Sequence, residues 1–349
     1  LDGGDDDSFT PEEIAKITEI DCQRRGIRDL TGIEHFTALT KLICANNDLT
    51  KLDVSKNTAL TWLNCYYNWD LRPLDVTKNV KLEYLNCSIT GLNNLDLSQN
   101  SALTTLMCHS CFFTELDVSK NPALGYLECQ NNQLTSLDVR NNTELGELQC
   151  WRNQLTELDL SKNTKLVELQ CQENQLAFLN LEQNTQVTQL QCHQNTRPVH
   201  CGTPLQQLNG FDVSKVSSIQ GGNFDDNKVN YTEDTLTYQY KVGLSDRSAE
   251  FSMRRVHDIQ LVAGQASTCT AEGWRDYYQC SGCGKSFEDQ DGTKEITDLE
   301  AWKTARVSWI KFLIQPANGC TMIPSIGRYA AFATPPQNKP PIPMAIGRP

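Results

Sequence analysis

The chain has 349 residues and a formal net charge of −12, with 31 Lys and Arg against 43 Asp and Glu. This acidic balance argues against a nucleic-acid backbone or an anionic membrane surface as the main partner. The longest uncharged apolar stretches fall far below the roughly 18 to 20 residues needed to cross a bilayer, so no membrane span is predicted.

Residues 1–16 are predicted to be an acidic linker that leads into the start of an N-terminal cap. The segment from Asp2 to Ser8 combines aspartates with two glycines, a composition typical of a flexible, solvated stretch. The chain begins at Leu1, with no initiator Met and no signal peptide before it, so we expect a processed mature form or a fragment.

Residues 17–208 carry an internal repeat with one cysteine every 21 or 22 residues. The unit is clearest at 124–144, where L-x-x-L-x-C-x-x-N is followed by L-x-x-L-D-V-x-x-N. This period predicts a mainly-β solenoid of about nine coils with two short strands per coil. Within a strand the second Leu and the following Cys or Val lie two residues apart, so both should point inward. The repeated cysteines are Cys22, Cys44, Cys65, Cys87, Cys108, Cys129, Cys150, Cys171 and Cys192.

These residues resemble bacterial leucine-rich repeats of the 21-residue class, in which Cys often replaces the central inward Leu. The segment Asp29-Leu30-Thr31-Gly32-Ile33 is similar to the opening coil of internalin-like surface repeats. The resemblance implies an extracellular or cell-surface bacterial protein, and it implies that an Asn three residues after each Cys bonds the neighbouring turn. Two coils depart from this pattern, because Thr90 and Cys111 stand in the Asn position.

The ladders of cysteines and aspartates each have a structural and a chemical interpretation. Neighbouring parallel strands lie about 4.8 Å apart, whereas a disulfide needs Cβ atoms about 3.8 Å apart, so we expect reduced, packed thiols rather than a redox relay. Stacked carboxylates can attract calcium. The pattern Asp-x-Ser-x-Asn instead favours side-chain-capped turns with nearby lysines offsetting the charge. The aspartates are Asp53, Asp75, Asp96, Asp117, Asp138 and Asp159.

Outward positions on and just after the first strand of each coil form a surface with an aromatic half and a half rich in Gln and Glu. Exposed aromatic residues on a rigid sheet predict a partner-binding face, and a broad open sheet favours a protein ligand. In one alternative the same rings stack on a glycan, and in the other they stack only on one another. The predicted contact residues are Trp62, Tyr66, Tyr84, Met107, His109, Tyr126 and Trp151.

Catalysis has little support in the repeats. The nearest approach to a dyad is His109 with Cys111, but Cys111 occupies the turn position of the repeat, where a structural Cys is expected. A second group, Cys192, His193, His200 and Cys201, contains metal-binding residue types at a spacing that matches no standard site. No enzyme activity and no required cofactor are therefore predicted.

Residues 209–255 are predicted to be a small β-cap that covers the open end of the solenoid. Alternating patterns at 229–231, 236–240 and 249–253 indicate strands. The segment resembles the β-caps that often follow such repeats in bacterial surface proteins, and covering the core and strand edges is its physical role.

Residues 256–305 carry metal-like spacing at His257, Cys269, Cys280 and Cys283. Three thiolates and an imidazole can complete tetrahedral, structural zinc. A disulfide from Cys269 to Cys280 or Cys283, and free thiols, are the alternatives. The segment resembles a short Cys-rich module of gut-bacterial surface proteins.

The remaining residues, 306–349, contain no Asp or Glu and are rich in Pro, and we expect a basic tail that is disordered or aberrant.

The sequence thus predicts a non-catalytic leucine-rich-repeat protein of the bacterial cell surface that binds a protein, in adhesion or in host or community interaction. A secreted carbohydrate-binding or enzyme-associated fragment whose catalytic part is missing is the alternative. A purely structural spacer is a third interpretation.

Overall fold

The computed structural model describes residues 10–201, 203–208, 210–225, 227–243, 247–265, 274 and 276–304. The described residues divide into two compact units, one within Leu1–Leu261 and Tyr278–Glu295 and the other within Val262–Tyr277 and Ile296–Pro349. None of the helices in this part of the chain is long and apolar enough to cross a membrane. The predicted tail, residues 306–349, lies outside the described residues.

The repeat region forms a parallel sheet of nine strands, one per coil. A short helix, α1 (Pro11–Ile14), precedes it and is capped by Thr10 and Glu13. The strands of the region are β1 (Glu19–Asp21), β2 (Lys41–Ile43), β3 (Leu52–Asp53), β4 (Trp62–Asn64), β5 (Leu74–Asp75), β6 (Tyr84–Asn86), β7 (Thr105–Met107), β8 (Tyr126–Glu128), β9 (Glu147–Gln149), β10 (Glu168–Gln170) and β11 (Gln189–Gln191). The sheet order is β1-β2-β4-β6-β7-β8-β9-β10-β11. The predicted mainly-β solenoid is confirmed.

Each strand of this sheet is in register with its neighbours, so equivalent residues of successive coils form columns. Trp62 pairs with Tyr84, and Leu63 pairs with Leu85. The middle Leu and the Cys two residues later are buried together, as Leu63 and Cys65 show at 0% exposure. The predicted inward columns of Leu and Cys therefore form the core, and the first and third residues of each strand face outward.

The second strand predicted for each coil forms only once as a pair, between β3 and β5. In the later coils that the structure describes, the equivalent Leu and Val are still buried, but asparagine side chains connect the coils there. Asn79 Nδ2 donates to Val54 O at 3.0 Å and to Asn57 O at 2.9 Å, which are backbone acceptors of the preceding coil. Asn79 lies in the coil of β5, so these bonds occur beside the β3–β5 pair as well as in later coils such as that of Asn100, and they add to the strand pairing rather than replace it. The equivalent buried residues are Asn57, Asn100, Asn121, Asn142, Asn163 and Asn184.

The aspartate column caps turns, as the sequence predicts. Asp117 Oδ1 accepts a hydrogen bond from the backbone N–H of Ser119 at 2.8 Å, and Asp53 Oδ1 does the same for Ser55 at 2.9 Å. These bonds lower the pKa of the carboxyl of Asp117 below its usual range. In the described part of the chain, this column contributes no group of three or more metal-ligand side chains.

A second, mixed sheet closes the end of the repeats. After β11 the chain forms β12 (Asn195–His200), β13 (Val216–Gln220), β14 (Gly222–Asp225), β15 (Lys228–Tyr231), β16 (Thr235–Lys241) and β17 (Ser248–Val256). The order is β12-β17-β16-β13, with β14 and β15 as a separate hairpin. Tyr238 and Phe251 continue the core of the repeats, and Tyr238 Oη donates to Ala177 O. The three predicted cap strands correspond to β15, β16 and β17.

The chain after the cap forms a four-stranded sheet in the order β18-β19-β20-β21. Its strands are β18 (Ile259–Val262), β19 (Tyr277–Cys280), β20 (Ser286–Phe287) and β21 (Glu295–Ile296). Within the second unit, the helix α2 (Leu299–Thr304) places Lys303 Nζ 5.6 Å from the centroid of the Tyr277 ring.

Candidate functional site

The seven predicted contact residues lie on the outward side of the repeat sheet or next to it. Trp62, Tyr84 and Tyr126 are the first residues of β4, β6 and β8, and Met107 is the last residue of β7. The others, Tyr66, His109 and Trp151, follow directly after an inward Cys. Trp62 is 37% exposed and the remaining six are half-buried. The sheet therefore holds these side chains in a fixed order on one surface.

The rings of Trp62 and Tyr84 stack face to face. Their centroids are 3.6 Å apart and their planes differ by 3°, because the two residues are register partners on neighbouring strands. On the other side, Lys41 Nζ lies 6.0 Å from the Trp62 ring centroid. Tyr84 Oη also contacts Met107 Sδ at 3.4 Å. Ring-on-ring stacking, one of the alternatives for this surface, is thus present for part of it.

A second aromatic group begins at Tyr66 and extends into the turn after β4. The ring of Tyr66 lies 6.3 Å from that of His109 and 5.9 Å from that of Tyr67, which lies 6.0 Å from that of Trp69. Tyr67 and Trp69 are 43% and 49% exposed. Neither residue is among the predicted contact residues, because both lie in the turn beyond the strand columns. We call Trp62, Tyr66, Tyr67, Trp69, Tyr84 and His109 the aromatic surface.

The backbone explains why Tyr67 projects outward. The second residue after the repeated Cys has a positive φ throughout the repeats, and this angle is 57° at both Asn46 and Tyr67. A left-handed residue turns the chain sharply at the end of each strand. The signal for this position was present in the sequence as a fixed offset from each Cys.

Acidic residues border the aromatic surface on the strands that follow. Glu128 Oε2 lies 3.9 Å from His109 Nε2, and the Tyr126 hydroxyl donates to the Glu128 carboxylate. Burial lowers the pKa of His109, while the carboxylate of Glu128 acts in the opposite direction. Burial raises the pKa of Tyr126, and the carboxylates of Glu128, Glu147 and Glu168 raise it further. The part of the face formed by β8, β9 and β10 therefore carries negative charge.

Trp151 stands apart from the aromatic surface. The guanidinium carbon of Arg152 lies 5.2 Å from its ring centroid, and Arg152 Nε also bonds Glu173 Oε2 at 2.7 Å. Trp151 is therefore covered by a cation that a carboxylate holds in place.

His109 and Cys111 do not form a catalytic pair. The Cys111 thiol is buried and donates to the backbone carbonyl of Cys87 at 3.4 Å, in the position that Asn occupies in other coils. Burial raises the pKa of Cys111, which is the opposite of what an activated nucleophile needs. The structural interpretation of Cys111 accounts for these contacts.

The C-terminal segment contains a Cys/His cluster of Cys201, His257, Cys280 and Cys283. Their ligand atoms all lie within 4.8 Å of one another. His257 Nδ1 is 3.3 Å from Cys201 Sγ and 3.5 Å from Cys283 Sγ. The structure brings together three of the four predicted metal ligands, while Cys269 lies outside the described residues. A cluster of this composition can hold a metal ion.

Cys201 enters this cluster from the end of β12, whereas its sequence spacing groups it with Cys192, His193 and His200. The structure separates that group, because Cys192 belongs to the core of the repeats whereas Cys201 packs with Cys280 and Phe287. The Cys201 N–H donates to Val256 O at 2.9 Å, which fixes it beside His257. Pairing between β12 and β17 therefore brings the two residues together.

The turn that carries Cys280 and Cys283 is anchored to the residue after His257. The Ser281 N–H donates to Asp258 O at 3.0 Å, and Ser281 Oγ donates to Asp258 Oδ2 at 2.6 Å. Burial raises the pKa of Cys280, but the backbone N–H groups of Cys283 and Gly282 outweigh it, and the net effect lowers the pKa. Burial raises the pKa of Cys201.

Comparisons with known proteins place the repeats among leucine-rich repeats. No protein-family model matches the chain. A stretch of 52 residues, 15% of this chain, is 50% identical to Internalin J of Listeria monocytogenes serotype 4b (strain F2365), but the match spans 6% of that protein. The structure of internalin C2 from L. monocytogenes is 19% identical, with a TM-score of 0.50 over 53% of this chain and 84% of that chain.

The solved functional domain of InlJ from L. monocytogenes, which includes a cysteine ladder, is 21% identical with a TM-score of 0.36 over 70% of this chain and 92% of that chain. The matches to Internalin J and internalin C2 confirm the resemblance to internalin-like repeats and the leucine-rich-repeat fold of the solenoid.

Proposed function

We propose that this chain is a non-catalytic, protein-binding leucine-rich-repeat protein of the bacterial cell surface or secretions, and that the aromatic surface is its recognition face. The carrying observation is that Trp62, Tyr67 and Trp69, on β4 and in the turn after it, are 37%, 43% and 49% exposed. A tryptophan costs free energy when it faces water, and Trp and Tyr dominate binding energy at protein interfaces. The predicted residues Met107 and Tyr126 extend this face along the sheet, whereas Trp151 stands apart from it under Arg152.

The charge next to the aromatic surface defines the chemistry of the partner. Glu128, Glu147 and Glu168 lie on successive strands, and the chain as a whole carries a net charge of −12. A protein with an apolar or aromatic centre flanked by Lys or Arg would complement this arrangement. We therefore expect binding to weaken as salt increases, because the acidic part of the face attracts its partner through solvent.

The test is affinity capture from host-surface extracts and from neighbouring bacteria, followed by a measured dissociation constant for each captured protein. The binding variant carries Trp62→Ser, Tyr67→Ser, Trp69→Ser and Tyr84→Ser, all within the aromatic surface. The matched control carries Val80→Ser and Val213→Ser, which remove exposed apolar side chains away from this face. Circular dichroism must show equal folding of all three proteins. We expect the binding variant to lose at least about tenfold in affinity, which corresponds to the removal of one hot spot.

Two outcomes would contradict the proposal. Equal capture by parent and binding variant would move the function to another surface or to a spacer role. A glycan-array signal that disappears in the binding variant, together with no captured protein, would favour the carbohydrate-binding alternative.

A further inference from the structure

We propose that Cys201, His257, Cys280 and Cys283 form a structural zinc site in which Cys201 supplies the fourth ligand, so that the metal ties the end of the repeats to the CxxC turn. The proposal concerns a different part of the chain from the aromatic surface and is independent of it. Cys201 directly follows β12, His257 directly follows β17, Cys280 ends β19, and Cys283 lies in the turn between β19 and β20.

The distances match a tetrahedral site. Zinc binds sulfur at about 2.3 Å and nitrogen at about 2.0 to 2.1 Å, so tetrahedral geometry places a sulfur and a nitrogen ligand about 3.6 Å apart. His257 Nδ1 is 3.3 Å from Cys201 Sγ and 3.5 Å from Cys283 Sγ. These separations lie within about 0.3 Å of the zinc-bound value, so small side-chain movements complete the geometry.

Glycines make the close approach of these elements possible. A Cβ at Gly282 would lie 2.0 Å from the backbone oxygen of Cys201 and 2.8 Å from its Cβ. The CxxC turn therefore rests directly on the backbone of Cys201, and only glycine fits between them. The approach at Gly292 is looser, since a Cβ there would lie 2.7 Å from Ile259 Cδ1 and 3.3 Å from His257 Cδ2.

The surroundings of the ligands favour a permanently bound, soft metal. The Phe287 ring lies 4.5 Å from the His257 ring, and Cys201 and Cys280 are both buried. Three thiolates and one imidazole are a ligand set that selects zinc, and four protein ligands leave no open coordination position. The zinc would therefore hold the fold together, because it joins residues more than 80 positions apart, Cys201 and Cys283.

The first test is elemental analysis of the full chain purified with zinc in the medium. We expect about one zinc per chain in the parent and in Cys269→Ser, and none in Cys201→Ser or Cys283→Ser. The two single substitutions Cys201→Ser and Cys269→Ser thus distinguish the ligand set in the structure from the one predicted from sequence. Gly282→Ala should weaken zinc retention at least about tenfold, by displacing a residue that supports the ligands, whereas Gly146→Ala, where the added Cβ makes only ordinary contact, should have no effect.

A second measurement on the parent protein avoids the risk that a variant fails to fold. X-ray absorption of the zinc-loaded chain should show three sulfur neighbours and one nitrogen neighbour. Thiol labelling with mass mapping should find Cys201, Cys280 and Cys283 protected with zinc and labelled after chelation. Absence of bound zinc, loss of zinc in Cys269→Ser with retention in Cys201→Ser, or a native disulfide from Cys201 to Cys280 or Cys283 would each overturn the proposal.

Discussion

Cys129 in the repeat ladder and Cys280 in the Cys/His cluster are both buried thiols, yet their surroundings act on them in opposite directions. Cys129 packs among leucines of the core, and burial raises its pKa well above the usual range. At Cys280 burial acts in the same sense, but the N–H groups of Cys283 and Gly282 reverse the outcome. Burial by itself keeps a thiol neutral, and a tight turn that aims backbone donors at sulfur favours the thiolate.

The two regions therefore use the same side chain for different purposes. In the repeats Cys is a small apolar side chain that fits beneath each strand and repeats with the coil. In the cluster each cysteine contacts different neighbours, and the three cysteines together with His257 are residue types that bind metal ions. Experiments that change only the repeats or only the Cys/His cluster test this difference.

The largest expected effect is alkaline destabilisation of the repeats. All nine ladder thiols have pKa values raised by burial, and the pKa of Cys192 reaches about 11. A thiol whose folded pKa exceeds its unfolded value near 8.5 stabilises the fold fully below pH 8.5, and this contribution is lost as pH rises toward the folded pKa. Each thiol contributes up to about 1.4 kcal/mol per pH unit. The nine are Cys22, Cys44, Cys65, Cys87, Cys108, Cys129, Cys150, Cys171 and Cys192.

Urea denaturation between pH 7 and 10 measures this slope, and single substitutions assign it. Cys129→Ala removes one ladder thiol, so the slope above pH about 9 should fall by about 1.4 kcal/mol per pH unit. Val139→Ala serves as the control, because Val139 is as deeply buried as Cys129 but carries no titratable group, so it should leave the slope unchanged. A slope that Cys129→Ala leaves unchanged would show that the ladder thiols do not determine alkaline stability.

The repeats were largely predictable from sequence and the cluster only in part, for a physical reason. Repeated coils place residues 21 or 22 apart side by side, so the position of Leu63 predicts that of Leu85. The cluster depends on how distant segments return to one another, and 56 positions separate Cys201 from His257. No spacing rule reveals that contact. The CxxC turn was recognisable because Cys280 and Cys283 are local.

The aromatic surface shows the same division. Trp62 and Tyr84 could be paired from the repeat alone, and the structure stacks them. Tyr67 and Trp69 follow the strand and gain their exposure from the left-handed turn, a backbone feature that periodicity of hydrophobic residues does not encode.

A smaller effect is expected where the asparagine ladder is interrupted. Asn132 Nδ2 donates to the carbonyls of Cys108 in the preceding coil and of Cys129 in its own, each at 3.0 Å. Thr90 Oγ1 donates within its coil to Cys87 O at 2.8 Å and lies 3.4 Å from Cys111 Sγ of the following coil, rather than bonding a carbonyl of the preceding coil. Asn132→Thr should therefore cost about 1 to 3 kcal/mol, because buried groups lose their partners, and Thr90→Asn should gain about 1 kcal/mol.

Equilibrium denaturation of Asn132→Thr and Thr90→Asn measures how each substitution changes the free energy of unfolding. Opposite signs are expected, since one substitution removes a connection between coils and the other restores one. If both variants were destabilised by similar amounts, the local packing around Thr90 and Cys111 would outweigh the hydrogen bond, and the interruption would be part of how the fifth coil packs.

The smallest expected effect concerns the exposed aspartate turns. Asp117 Oδ1 accepts from the Ser119 N–H, and this bond is the main cause of its lowered pKa, followed by the Ser119 hydroxyl and, with opposite sign, desolvation. A carboxyl with a depressed folded pKa stabilises the fold above its unfolded value near 3.9, and this contribution is lost as pH falls through the folded pKa. Asp117→Ala should cost about 0.5 to 1 kcal/mol at pH 7, as loss of a capping side chain does.

Asp117→Asn separates the geometry of the turn from its charge. The amide keeps an acceptor oxygen for the Ser119 N–H but cannot titrate, so it should retain most of the stability at pH 7. Urea denaturation at pH 2 to 7 should then show a shallower acid slope for Asp117→Asn than for the parent. Equal acid slopes would mean that the Asp117 carboxylate does not make the stability of the repeats depend on pH. The buried thiols, in contrast, are expected to do so at alkaline pH.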